Sequence, residues 1–211
     1  MSLTKKLEID HRTIKLLVGL IALGLANATS FFSEHTITSI SESYHYGAWP
    51  RDILVGSLFA ISALMFAYNG FSTREMVLTK LAALAALGVA MFPCECGTHD
   101  PVIPRVHGIS AGVMFLILAE LCRIFYLRAK EKRYANADRR AFLYVGCGIG
   151  ILLSIAILAV DLALGGAFVE RAPRLVFYCE RLGLIAFGIA WLAASHILPG
   201  FTDPHERWFR S

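Results

Sequence analysis

The sequence predicts an all-α fold, a polytopic membrane bundle of six transmembrane helices with both termini in the cytoplasm. Three observations carry this. Of 211 residues, 56% are apolar and only 17% charged, against about 45–50% and 25% in a soluble domain; the mean hydropathy is +0.59. Long uncharged stretches alternate with short charged ones. The basic residues fall unevenly between the two sides that a six-span topology defines. One integral membrane domain covers 1–211, with no internal repeat, low-complexity tract or second domain.

A helix rises about 1.5 Å per residue, so the hydrocarbon core takes about 20 residues to cross. No charge lies between Lys15 and Glu34, Asp52 and Arg74, Arg140 and Asp161, or Arg181 and Asp203. These intervals give spans at about 14–32, 53–71, 141–168 and 175–198. Two further spans carry charge. The third, about 76–94, reaches its length if Lys80 snorkels. The fourth, about 106–127, contains Glu120 and Arg123, an i,i+3 pair. With six spans, 15 of the 20 Lys and Arg residues lie on the terminal side and five (Arg51, Arg105, Arg171, Arg174 and Arg181) on the other. That bias places both termini in the cytoplasm.

The net charge of +4 follows from the same rule, and the basic run Arg128 to Arg140 reads first as a topology determinant. Composition excludes a disordered chain, a collagen-like chain and a small disulfide scaffold. Nucleic acid is not an expected partner, because no zinc-finger spacing, helix-turn-helix signal or basic helix with stacking aromatics is present. Haem-attachment, nucleotide-loop, HExxH and GxSxG motifs are absent too. The first span is long and no cleavage site follows it, so it reads as retained. Membrane lipids are the expected partners.

Ionisable residues within spans are functional candidates by default. Asp161 on span 5 and Glu180 and Arg181 on span 6 fall about 10 Å below the outer end, given the helical rise. His107 opens span 4, beside Gly108, Ser110, Ala111 and Gly112, small residues that allow close helix approach. The long outer loop, Ser33 to Arg51, supplies Ser41 and His45, and Asp52 starts span 2. On a continuous helix Ser41, His45 and Asp52 would share a stripe about 40° wide, at 100° per residue. No comparable set is expected at the inner end. Each residue has a structural reading beside the functional one. Asp52 can cap span 2 with Pro50 at its first position, Trp49 can anchor at the interface, and Asp161 can pair with Arg181.

Cys122 and Cys147 read as small apolar packers. Cys94, Cys96 and Cys179 gather near the outer face, where a disulfide from Cys179 to Cys94 or Cys96 is the favoured arrangement. The stretch Cys94-Glu95-Cys96-Gly97-Thr98-His99-Asp100 also offers metal-ligand types, without an established zinc spacing.

The Ser41-x-x-x-His45 pattern, with acids nearby, resembles part of the signature of the CREST-type membrane hydrolases, which include alkaline ceramidases and progestin/adipoQ receptors. The resemblance implies zinc held by His45 and His107, Ser41 stabilising the transition state and Asp52 partnering the bound water. It covers about a tenth of the chain. The chain departs from that family in having six spans for seven and no His-x-x-x-His, leaving Glu180 or a cysteine as third ligand. It also resembles six-span bacterial membrane proteins, which implies a multi-pass place in the inner (plasma) membrane.

Two functions follow from these residues. One is a metal-dependent hydrolase of a lipid amide or ester, with His45, His107 and Glu180 on zinc, Asp52 positioning the water, and Ser41 or Arg181 stabilising the oxyanion. The other is a non-enzymatic lipid-binding, sensory or scaffold protein whose polar cluster is structural.

Overall fold

The computed structural model describes residues 10–96, 103–132, 134–203 and 206. Among these, every regular element is helical: α1 (His11–Phe31), α2 (Ala48–Ala67), α3 (Thr73–Met91), α4 (Val106–Glu131), α5 (Ala135–Ala163), a short α6 (Ala167–Arg171) and α7 (Leu175–Ala194), with single 3₁₀ turns at Ser41–Tyr44 and Pro199–Phe201. Each long helix packs on the one before it, and α7 packs on both α5 and α1. The six long helices therefore form a closed, up-and-down ring. One end carries the loops after α1, α3 and α5 (the loop end). The other carries Asp10, the connections after α2 and α4, and the segment after α7 (the terminal end).

The helix limits have local causes. Gly47, at φ +64°, reverses the chain in a region open to glycine, so α2 starts at Ala48, earlier than the sequence predicts. Pro50 then sits third in the helix and is buried, still within the first turn, where a missing N–H costs nothing. Ser72 caps α3 by accepting from the Glu75 amide at 3.2 Å, the Ser-x-x-Glu start of a helix. At the end of α5 the chain turns through Gly165 and Gly166, at φ +72° and +88°, so the helix stops at Ala163, short of the predicted 168. α7 ends at Ala194, and His196 takes up φ +63°, the left-handed residue that commonly follows a helix.

Close approach between neighbours depends on small residues. A Cβ on Gly188 of α7 would lie 3.0 Å from the Gly19 carbonyl of α1, and one on Gly19 would lie 2.9 Å from the Gly188 carbonyl. Gly88 of α3 packs against Ser110 of α4 in the same way, whereas Gly108 and Gly112 face open space. Inside the ring, Trp191 meets the rings of Tyr68, Phe125 and Phe187 with centroids 5.5–6.1 Å apart. A second apolar cluster towards the loop end joins Leu25, Ile40, Leu58, Val89, Phe177 and Leu184.

Five helices (α1, α2, α4, α5 and α7) are long and apolar enough to cross a membrane. Their outward faces are strongly apolar; on α5, Phe142 and Leu162 are each 82% exposed. The expectation was six. α3 falls outside that set because its 19 residues hold Arg74, Glu75 and Lys80. Its charges are nonetheless engaged. Arg74 pairs with Glu120 at 2.8 Å, Glu75 pairs with Arg128, and Lys80 donates to the Phe66 carbonyl at 3.1 Å.

Candidate functional site

At the loop end, a short polypeptide run wraps a single carboxylate. Ser39 Oγ donates to Glu180 Oε2 at 2.9 Å, the Ile40 amide donates to the same oxygen, and Ser41 Oγ donates to Oε1 at 2.6 Å. The Ser41 amide lies 3.4 Å from Oε2. The loop reaches α7 a second time through the Phe177 amide, which donates to the Thr38 carbonyl at 3.0 Å. Within the loop, Glu42 accepts from Thr38 N and Oγ1 at 2.8 and 2.7 Å and from Tyr46 Oη at 3.0 Å. Burial works to raise the Glu42 pKa, but these donors outweigh it and hold the carboxyl below its ordinary value.

The two predicted histidines are tied to the segment after α3. His107, buried at the start of α4, places Nδ1 2.7 Å from the Phe92 carbonyl, and His45 places Nε2 3.0 Å from the Cys94 carbonyl. A carbonyl only accepts, so each ring carries its proton on that nitrogen. The second nitrogen of His107, Nε2, is buried and has no hydrogen-bond partner among the described residues. His107 is also within electrostatic reach of Glu180.

Of the six residues singled out, then, Ser41 and Glu180 meet directly, and His45 and His107 share the Phe92–Cys94 strip. The other two lie elsewhere. Asp52 is exposed and pairs only with its neighbour Arg51, at 3.4 Å. The predicted stripe needed an unbroken helix from Ser41 to Asp52, and Gly47 breaks it. Arg181 donates through Nη2 to Asn27 Oδ1 on α1 at 2.7 Å, being turned about 100° from Glu180 as the next residue on a helix. Nor do Asp161 and Arg181 pair: Asp161 Oδ1 accepts from the Phe168 and Val169 amides at 2.8 and 3.2 Å and so starts α6. Cys94 bonds to Cys96, while Cys179 is a buried free thiol. This corrects the predicted long-range disulfide, since adjacent partners on one strip leave Cys179 none.

Among the described residues no group of three or more His, Cys, Asp and Glu side chains is placed to hold a metal ion. The proposed zinc set of His45, His107 and Glu180 fits poorly, because both Glu180 oxygens already accept hydrogen bonds and His45 offers Nε2 to a carbonyl. His99 and Asp100 of the alternative ligand stretch lie outside the described residues, as do the topology charges Lys5, Lys6, Arg133, Arg207 and Arg210.

The terminal end holds what the sequence reading did not anticipate. Glu75 is fully buried, accepting from Tyr68 Oη at 2.6 Å and the Phe71 amide at 3.0 Å besides its pair with Arg128. Arg140, 2% exposed, donates to the Phe201 carbonyl at 2.7 Å and pairs with Glu206 at 2.9 Å. Lys132 pairs with the same Glu206. Burial works against the Glu206 charge, but hydrogen bonds from Lys132 and Arg140 prevail and bring its pKa down to about 2. His196, past the end of α7, is lowered to about 4 by burial and then by Arg140, and so is neutral at pH 7. The available signal was the basic run Arg128 to Arg140, which reads as a topology determinant first and as an anionic-lipid or partner site second, and Lys15 beside it in the folded chain. Comparison with protein-family models, curated proteins and solved structures finds no match.

Proposed function

We propose that the chain is an integral membrane protein of six crossings, with both termini cytoplasmic, that works by binding or scaffolding, its loop-end cluster acting as a structural pin. The carrying observation is Glu180. Its two oxygens accept from Ser39, Ile40 and Ser41, which satisfies a carboxylate beside apolar surroundings and leaves it poorly placed as base or ligand. α3 is read as the sixth crossing because its 19 residues span about 28 Å at 1.5 Å per residue and its charges are paired. The cytoplasmic assignment rests on the 15-to-5 division of basic residues.

The test compares Glu180→Gln with wild type in purified protein. The pin reading expects a lower melting temperature and no hydrolysis of lipid amides or esters by either form. Turnover by wild type that Glu180→Gln abolishes without loss of folding would overturn it. For the topology, reporters fused after Asn69 and after Glu131 should read cytoplasmic, and one after Cys96 external; Asn69 and Cys96 on the same side refutes the sixth crossing, and a fully reversed pattern refutes the cytoplasmic termini.

A metal-dependent hydrolase, as the CREST-type resemblance implies, is a second reading favoured by one observation: a buried His107 Nε2 with no partner among the described residues, and Nδ1 on a carbonyl, is the orientation of a metal-bound imidazole. It expects about one zinc per chain by elemental analysis, lost in His107→Ala. Metal-free, folded wild-type protein after zinc supplementation removes it.

A further inference from the structure

Between the terminal ends of α1, α4, α5 and α7 lies a half-open pocket of about 290 Å³. Lys15, Arg128, Lys132 and Arg140 line it, from three different helices and the residue that follows one of them. Two carboxylates answer these four cations: Glu75 pairs with Arg128, and Glu206 pairs with both Lys132 and Arg140. Asp203, the other described acid of the last segment, does not line the pocket, and Arg12 donates to the Glu206 carbonyl beside it. Among the described residues two positive charges are left over.

Lys15 is where the excess is most acute. The residue is 4% exposed, and its ammonium has no hydrogen-bond acceptor among the described residues. The Glu75 carboxylate, paired with Arg128, attracts it through space, and its contacts are three aromatic faces, Tyr68, Phe71 and Phe125, with ring centroids at 5.3, 4.9 and 5.3 Å. Such contacts attract a cation, but they provide no acceptor for its three N–H groups. A buried charge left in that state is costly. Lys15 lines the pocket, so an anion there would supply what it lacks.

We propose that this pocket binds a phosphate-bearing anion. Guanidinium groups from two helices and a buried ammonium suit tetrahedral phosphoryl oxygens. A phosphomonoester carries about −1.5 to −2 charge at pH 7, matching the two uncompensated cations. A water occupies about 30 Å³ of liquid, so the pocket has room for the phosphoryl group and part of what carries it. The chemistry is shared by a soluble phosphomonoester and a phosphatidic-acid headgroup. The inference stands independently of the role of the loop-end cluster.

The test uses the full chain in detergent, with melting temperature read against inorganic phosphate, glycerol 3-phosphate and added phosphatidic acid. Chloride and phosphatidylcholine serve as controls, and calorimetric titration gives affinities. At least one phosphate-bearing probe should stabilise the wild type, and Lys15→Met should bind it at least tenfold more weakly. Lys130→Met, whose lysine lies outside the pocket and pairs with Asp138, should bind as wild type does. Without ligand, Lys15→Met should melt higher than wild type. Response to the soluble probes identifies a soluble ligand, and response to phosphatidic acid alone identifies a lipid headgroup. Should Lys15→Met fail to fold, Lys132→Met carries the same tenfold expectation. The proposal is overturned if no probe exceeds its control, or if both lysine variants bind as tightly as wild type.

Discussion

The two ends of the ring solve the same problem, polar groups at the rim of an apolar bundle, with different chemistry. At the loop end one carboxylate is met by neutral donors, hydroxyls and amides from a single run of loop, and two histidines donate to backbone carbonyls. At the terminal end charges meet charges, and cations outnumber carboxylates around a pocket. Neutral donors satisfy an ion locally and completely. Opposed charges leave a balance that extends beyond the pair. The first arrangement closes a site, whereas the second leaves an unmet demand for negative charge.

Substitutions measure that contrast. The largest effect is expected at Glu75, whose removal leaves a part-buried Arg128 and a buried Tyr68 hydroxyl without their acceptor. Breaking a buried pair costs about 3–5 kcal/mol, so Glu75→Ala should lower stability by that amount in detergent unfolding. A loss under 1 kcal/mol would show that the pair contributes little. Glu180→Ala is the matching change at the loop end. Each donor left buried without acceptor costs about 1–3 kcal/mol, and water reaching the rim limits the total to below that of Glu75→Ala. The reverse order would mean that the neutral pin is the stronger of the two.

Acid should find the terminal end first. The folded pKa of His196 is depressed to about 4 from 6.5, so between those values the unfolded chain binds the extra proton and stability falls as pH falls. Glu206, depressed to about 2 from 4.5, contributes stability that is full above about pH 4.5 and lost as pH drops towards 2. Glu42, lowered as well, acts only below the ordinary carboxylate range. The decline from pH 6.5 to 4.5 is thus assigned to His196, and His196→Gln should flatten it. An unchanged slope in that variant places the sensitive group elsewhere.

Smaller effects mark the edges of the comparison. Ser72→Ala removes the cap that starts α3 and should cost about 1 kcal/mol. Asp52→Asn should change stability by less than about 0.5 kcal/mol, because Asp52 and its partner Arg51 are both exposed. A large effect on stability or activity would return Asp52 to the functional set.

What the sequence makes legible varies with the range of the interaction. Uncharged intervals located four of the six long helices directly, and the two that carry charge, α3 and α4, followed from span length and the placement of basic residues. Ser41 and Glu180 were both picked out, one by a local motif and one as a carboxylate in an apolar span. That they touch depends on Phe177 bonding to Thr38, a loop-to-helix contact that no periodicity encodes. The stripe of Ser41, His45 and Asp52 does not form because Gly47 breaks the helix it requires. The terminal-end pocket escaped notice for a different reason. Lys15, Arg128 and Arg140 sit where the rule for basic residues places them, and the same charge can orient a helix and line a site.

The contact between Gly19 and Gly188 joins the first long helix to the last. As the chain lengthens, α1 has only α2 of its two ring neighbours beside it until α7 is made, so the ring closes last at this contact. Any truncation before α7 leaves an open arc in place of a ring.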